Sequence, residues 1–236
     1  MVERFWLRGL AWLRGLGRWL RYGDRRAVWW LQRRRGEALH QTTTLTRMDR
    51  YPEIFAAVGD ALAGRVGVRM LSFGCATGEE VVTLRRYFAD AELVGVEINP
   101  YCLRVCRRRR VDSRIHFLPS TVESIARFAP YDAIFCLAVL QRTPHAVIDQ
   151  GVENIATLYP FSRFERQLLE LDQVLAVGGL LVVASTQYRL QDSGIGGRYR
   201  EYGTLYQDGA KLPLFAPSGE RMVGVVRQPV LFVKER

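Results

Sequence analysis

Apolar positions along the chain fall into two rhythms. Short, nearly unbroken runs occupy residues 70–73, 93–96, 115–118, 133–140 and 180–184, bounded by glycine, proline or polar residues. Runs of that length between turn residues read as strands buried on both faces. In other segments apolar residues recur at helical spacing: 53–62, with Pro52 suited to the first turn, then 79–88, 100–111 and 164–175. These read as amphipathic helices. Strands alternating with helices imply an α/β sheet covered on both faces. Two final runs, 222–226 and 230–233, follow one another closely and suit an antiparallel hairpin at the edge of the sheet.

The junctions carry the candidate chemistry. After the first strand comes Phe73-Gly74-Cys75-Ala76-Thr77-Gly78, then Glu79 and Glu80 in the first helical turn. The two glycines remove side chains where a ligand must approach the backbone, and the helix start offers unpaired N–H groups. The second strand ends in Glu97-Ile98-Asn99, about 20 residues on, where an open α/β sheet grips ribose hydroxyls. A dinucleotide site expects Gly-x-Gly-x-x-Gly. The spacing here is Gly74-x-x-x-Gly78, and two carboxylates at the helix start would repel a pyrophosphate. A cationic, phosphate-free nucleoside ligand fits better.

S-adenosylmethionine (SAM) is such a ligand, and the chain resembles the class I SAM-dependent methyltransferases. Four segments carry the resemblance in order: the glycine loop, the 93–99 run, the Tyr131-Asp132-Ala133-Ile134 strand, and Ala176-Val177-Gly178-Gly179 before an apolar strand. The loop looks most like the CheR-type branch, which methylates chemoreceptor carboxylates. The resemblance implies a doubly wound, Rossmann-like seven-stranded sheet with a C-terminal antiparallel hairpin. It implies SAM as methyl donor, with S-adenosylhomocysteine as product. Phe73, Gly74, Cys75, Ala76, Thr77 and Gly78 would hold the methionine part, Glu97, Ile98 and Asn99 the ribose, and Ser120 and Thr121 the adenine. Leu137 and Ala138 would lie beneath the methyl group. Thr46-Arg47 resembles a segment that closes the cofactor site in the CheR-type branch. That branch's paired phenylalanines are absent, and Ser72 stands where the wider family often has an acid.

Residues expected to meet the acceptor are Gln141, Arg142 and His145. His145 is a candidate base, or else a surface histidine beside Pro144. His116, inside a strand, reads as a sheet histidine. The glycine-, tyrosine- and arginine-rich stretch 193–206 reads as a substrate-facing lid or a solvated crossing loop.

Charge changes the picture only at the N-terminus. Of a net +10 over 236 residues, +8 belongs to residues 1–36, which hold ten arginines against Glu3 and Asp24. The body is nearly balanced, which argues against a nucleic-acid substrate. All five tryptophans lie within the first 30 residues, and on a helical wheel arginines gather opposite the apolar side. Three glycines, Gly9, Gly15 and Gly17, lower helicity by about 1 kcal/mol each. Residues 1–36 thus read as a basic amphipathic helical extension and residues 37–236 as the catalytic domain. The extension either packs on its own domain or a second subunit, meets an anionic membrane surface or a partner protein, or serves in targeting. No apolar run is long enough to span a membrane and no signal-peptide pattern occurs, so the expected location is cytoplasmic, or peripheral to the membrane. Four scattered cysteines suit buried thiols, and no metal site is expected.

The reading is therefore a methyltransferase acting on a small molecule or lipid-like metabolite. The alternatives are a non-catalytic SAM-binding or scaffold protein on the same fold, a CheR-like carboxylate methyltransferase, and a nicotinamide-dependent oxidoreductase.

Overall fold

The computed structural model describes residues 23–208, 212–224 and 227–236; the expectations for residues 1–22 lie outside these. Helices α1 (Gly23–Arg34) and α2 (Pro52–Ala61) precede the sheet. There follow β1 (Arg69–Phe73), α3 (Glu79–Tyr87), β2 (Glu92–Glu97), α4 (Pro100–Arg107), β3 (Ile115–Pro119), α5 (Val122–Ala126) and β4 (Tyr131–Leu137). The chain continues through α6 (Pro144–Asp149), α7 (Phe161–Val174), β5 (Leu175–Ala184), β6 (Tyr199–Glu201), β7 (Tyr206–Asp208), β8 (Arg227–Pro229) and β9 (Leu231–Lys234).

Seven strands form one sheet in the order β3-β2-β1-β4-β5-β9-β6. The first five pair in parallel, and β9 enters antiparallel between β5 and β6. This is the expected Rossmann-like architecture. Strand order reverses between β1 and β4, the switch point where open α/β sheets receive ligands at their C-terminal ends.

The period-2 geometry of the strands sorts their side chains into two cores. Met70, Leu93, Ala133 and Phe135 join α2, α3 and α4 on one face, through residues such as Phe55, Leu84 and Leu103. Leu71, Val94, Ile134 and Cys136 join α5, α6 and α7 on the other, where Phe164, Leu168 and Leu171 repeat at helical spacing. Each such fully buried side chain contributes about 1.5–3 kcal/mol. Asp132, polar at the start of β4, accepts the Arg69 N–H at 2.9 Å and so ties β4 to β1. The four cysteines are free and buried. His116 pairs with Glu92 and lies against Phe128, as a sheet histidine does.

Three local expectations are corrected. The helix expected over 100–111 ends at Arg107, because Arg85 and the Arg114 N–H both bind Asp112 and turn the chain into β3. The run 222–226 is not a strand where it is described; the hairpin pairs β7 with β8, and β9 takes β5 and β6 as partners. The stretch 193–206 is no lid at its centre. Tyr199–Glu201 is the sheet's edge strand, and buried Asp172 anchors it by accepting from Arg198 at 2.6 Å and Tyr199 at 2.8 Å. Lys234 completes that cluster at 3.2 Å from Asp172.

Helix α1 is docked on the domain. Gly23 lies against the Tyr101 ring of α4 so closely that a Cβ there would stand 2.7 Å from it. Leu31 is buried, while Trp29 and Trp30 are exposed. No helix among the described residues is long and apolar enough to cross a membrane.

Candidate functional site

The loop after β1 is fixed by backbone bonds before any ligand is considered. Gly74 and Cys75 both donate to the Val96 carbonyl, at 2.9 and 3.0 Å, which pins the loop to β2. Gly74 sits at φ +74°, and a Cβ there would stand 2.7 Å from Val139 Cγ2. Only glycine meets both conditions. Gly78, at φ +91°, starts α3. From α4's end, Arg109 donates to the Thr77 carbonyl at 2.6 Å and pairs with Glu79, bracing the loop from outside.

Above the loop lies a cleft at the C-terminal ends of β1, β2 and β4. One part, about 270 Å³, is lined by Gly74, Ala76, Glu80, Leu137, Ala138 and residues of the segment 41–51. A smaller part, about 70 Å³, is lined by Glu97, Ile98, Asn99, Ser120 and Val28 of α1. The two share Gln41, Thr43, Gly74, Ala76 and Val139, so they adjoin. A second hollow of about 540 Å³ opens beside the first part. Arg50, Tyr51, Gln141, Pro144 and His145 form the common wall.

Two carboxyls dominate the cleft. Glu97 accepts from the Ala76 N–H at 2.8 Å and the Asn99 N–H at 2.7 Å. Burial still pushes its carboxyl up to about 7, with those backbone N–H groups acting against the shift. Burial likewise raises Glu80 to about 7, opposed by the Ser72 hydroxyl and by Arg50. Ser72 Oγ donates to Glu80 at 2.7 Å. The serine that replaces an acid in β1 thus holds an acid supplied by α3.

Of the three buried side-chain polar atoms without a partner among the described residues, two lie at the cleft; the third is Gln228 Oε1 on β8. Asn99 Oδ1 accepts the Tyr101 N–H at 2.9 Å and caps α4, while its buried Nδ2 has no partner. The buried Tyr51 hydroxyl also has none. An unmet buried donor costs about 1–3 kcal/mol, which an acceptor placed beside either atom would relieve. Five described non-glycine residues have positive φ, and four of them, Ala76, Ala138, Thr143 and Ser185, line the two hollows. Such conformations cost on the order of 1–3 kcal/mol and persist where function over-determines them.

Of the residues expected to hold cofactor, Phe73, Gly74, Cys75, Ala76, Glu97, Ile98, Asn99, Ser120, Leu137 and Ala138 line the cleft. Thr77, Gly78 and Thr121 do not line it. Thr77 donates to Glu79, Gly78 starts α3, and Thr121 caps α5 by accepting the Ser124 N–H at 3.2 Å. Gln141 is buried at the common wall and donates to the Ala138 carbonyl at 3.1 Å. His145 stands exposed on that wall, in the first turn of α6.

Arg142 lies outside the lining. Its guanidinium donates to the Leu39 and His40 carbonyls at 2.8 and 3.2 Å, and its backbone N–H donates to Gln187. It therefore holds the segment 39–40 that borders the cleft. His40 in that segment bonds Tyr159 at 2.7 Å, and burial lowers its imidazole to about 4.

Sequence reasoning missed Glu80, Tyr51, Gln41, Thr43 and Val28. Glu80 carried a signal, an acid in the first helical turn eight residues after a polar strand position. Tyr51, Gln41 and Thr43 come from a segment without a readable period, and Val28 from the leader, whose pattern is set by its arginines and tryptophans. Among the described residues, no group of three His, Cys, Asp or Glu side chains comes together to hold a metal.

Comparison with known proteins places residues 71–159, from β1 to the loop before α7, on the family model of a methyltransferase domain. No curated protein sequence matches the chain. Among solved structures, SAM-bound CalS10, an amino pentose methyltransferase from Micromonospora echinaspora, is 23% identical. That match covers 55% of this chain and 48% of CalS10, with a TM-score of 0.40. The plantazolicin methyltransferase BpumL in complex with S-adenosylhomocysteine is 14% identical over 55% of this chain and 43% of its own, with a TM-score of 0.39. A putative caffeoyl-CoA O-methyltransferase from Staphylococcus aureus is 13% identical over 58% of each chain, with a TM-score of 0.40. The match thus spans about half the length of these structures.

Proposed function

We propose that the protein is a SAM-dependent methyltransferase that modifies a small molecule or lipid-like metabolite. The observation that carries this reading is the polarity of the cleft. At one end a buried carboxylate, Glu97, stands beside an unpartnered donor, Asn99 Nδ2; at the other lies a second carboxyl, Glu80. That pattern suits a ribose at one end and a cation at the other, and it suits a pyrophosphate poorly. When bound, SAM supplies a methyl group on a sulfonium, an electrophile needing no covalent enzyme intermediate.

The chain's own residues would bind and orient. Glu97 accepts from the ribose hydroxyls while Asn99 Nδ2 donates to one of them. Ile98, Ser120 and Val28 flank the base. Glu80, held by Ser72, faces the ammonium of the methionine part, and Gly74 lets that part approach the backbone. Leu137 and Ala138 keep water from the methyl group, so positioning supplies much of the rate.

The exposed Trp29 and Trp30 of α1, with Arg33 at 4.0 Å and Arg34 at 5.6 Å from their ring centres, fit an anionic membrane surface. The CheR-like carboxylate reading rests on the glycine loop and on Thr46-Arg47. A non-catalytic scaffold would keep the cleft and lack turnover. Titration with SAM and S-adenosylhomocysteine, followed by transfer of labelled methyl to an acceptor panel, separates these readings. Absence of binding by folded protein would overturn the proposal.

A further inference from the structure

The second hollow has the dimensions and the walls of an acceptor site. It meets the cofactor cleft at a wall containing Tyr51, Gln141 and His145, so an acceptor there would face whatever lies over Leu137 and Ala138. Its body is apolar and partly ringed by flat side chains: Tyr51, Pro52, Pro144 and Tyr206, with Ile148 and Leu205. About 540 Å³ suits a molecule of drug-like size. Apolar burial and ring contacts favour a planar, ring-bearing acceptor.

Charge on the walls narrows the class. Glu53 is the one carboxylate among the described lining residues and is exposed at the start of α2, whereas Arg50 and His145 stand beside the cofactor cleft. Within this hollow a cationic amine would meet no buried counter-charge, since Glu80 lines only the adjoining cleft. A neutral hydroxyl would meet two matched groups. The Tyr51 hydroxyl, buried and without a partner, can donate to its oxygen, and the His145 ring can take its proton.

We propose that this hollow binds hydroxylated aromatic small molecules and that the protein O-methylates them, with His145 as general base and Tyr51 orienting the oxygen. The inference rests on the SAM reading above. In the step, the hydroxyl oxygen forms a bond to the methyl carbon as its proton passes to the His145 imidazole. The carbon–sulfur bond breaks with its electron pair going to sulfur, so the sulfonium becomes a neutral thioether and the positive charge moves to the imidazolium. The imidazolium then returns its proton to solvent.

The test uses the full chain saturated with S-adenosylhomocysteine. Calorimetry measures binding of simple catechols and hydroxylated flavonoids, with aliphatic amines and short peptides as competitors, and labelled SAM then reports transfer. Expected are binding and transfer confined to the hydroxylated aromatics. Ile148→Trp, which fills the hollow, should abolish acceptor binding while changing SAM affinity less than threefold. His145→Ala should lower kcat at least 100-fold without weakening acceptor binding. Tyr51→Phe should lower kcat/KM about tenfold. Transfer to amines or peptides, or SAM binding with no hydroxylated aromatic bound or methylated, would overturn the inference and leave the cofactor reading standing. Failure to bind SAM at all would overturn the cofactor reading.

Discussion

Glu80→Gln should make the protein more stable and a worse binder of SAM. The carboxyl lines the cleft, one oxygen is held by Ser72 at 2.7 Å, and burial raises it to about 7. A cation about 4 Å from it, at an effective dielectric of about 20, gains roughly 4 kcal/mol. Dehydrating the ammonium takes back part of this, leaving about 1.5–3 kcal/mol, the usual worth of a charged hydrogen bond. The variant should therefore raise the Kd for SAM by about 10- to 100-fold. Because the ligand favours the ionised carboxyl, wild-type affinity should climb as pH rises toward 7 and flatten above it. The variant should lose the larger share of that slope, keeping what Glu97 contributes. Stability runs the opposite way. A folded-state carboxyl raised above its unfolded value binds more protons folded than unfolded, so stability falls as pH rises from about 4.5 to 7. A shift of that size corresponds to up to about 3 kcal/mol at pH 8, which the neutral glutamine does not forfeit. Glutamine can still accept from Ser72. The assay is paired: calorimetric Kd and thermal Tm of the apo protein, each from pH 5.5 to 8. A variant with wild-type affinity, or one less stable than wild type at pH 8, would refute the reasoning.

Arg142→Met removes two donations to the segment bordering the cleft, so Tm should fall by the equivalent of about 1–3 kcal/mol and SAM affinity should weaken with it. A variant with wild-type Tm and SAM affinity but lost turnover would return Arg142 to the catalytic residues. The full chain should sediment with vesicles rich in phosphatidylserine and not with neutral ones, and Trp29→Ala with Trp30→Ala should weaken this at least fivefold. Equal sedimentation of variant and wild type would remove α1 from the contact.

Where one physical signal dominates, the sequence was readable. Strands buried on both faces appear as unbroken apolar runs, and β1 to β3 fall where those runs lie; β4 stops at Leu137, three residues short of its run, and β5 starts at Leu175, five residues before its own. The loop's glycines were legible because positive φ and close approach at Gly74 demand glycine, and Glu97 because an acid ends the apolar run of β2. Edge strands were not. Tyr199–Glu201 has three residues, a polar face and an anchor, Asp172, 27 positions earlier, so no local period marks it. The segment bordering the cleft was likewise hidden. Residues 39–47 have no regular structure and are held by Arg142 and by the His40–Tyr159 bond, contacts about 100 positions apart. Glu80 was read as a helix-start acid responding to the dipole; its pairing with Ser72 depends on how α3 leaves β1. Arg142 was placed in the site because it follows β4, yet its side chain turns back to Leu39 and His40.

The most direct test of the account is titration of the intact protein with SAM and S-adenosylhomocysteine, alongside NAD and Glu97→Ala. Expected are micromolar binding of both, none of NAD, and a marked loss in the variant. Binding of NAD without SAM, or undiminished SAM affinity in Glu97→Ala, would contradict it.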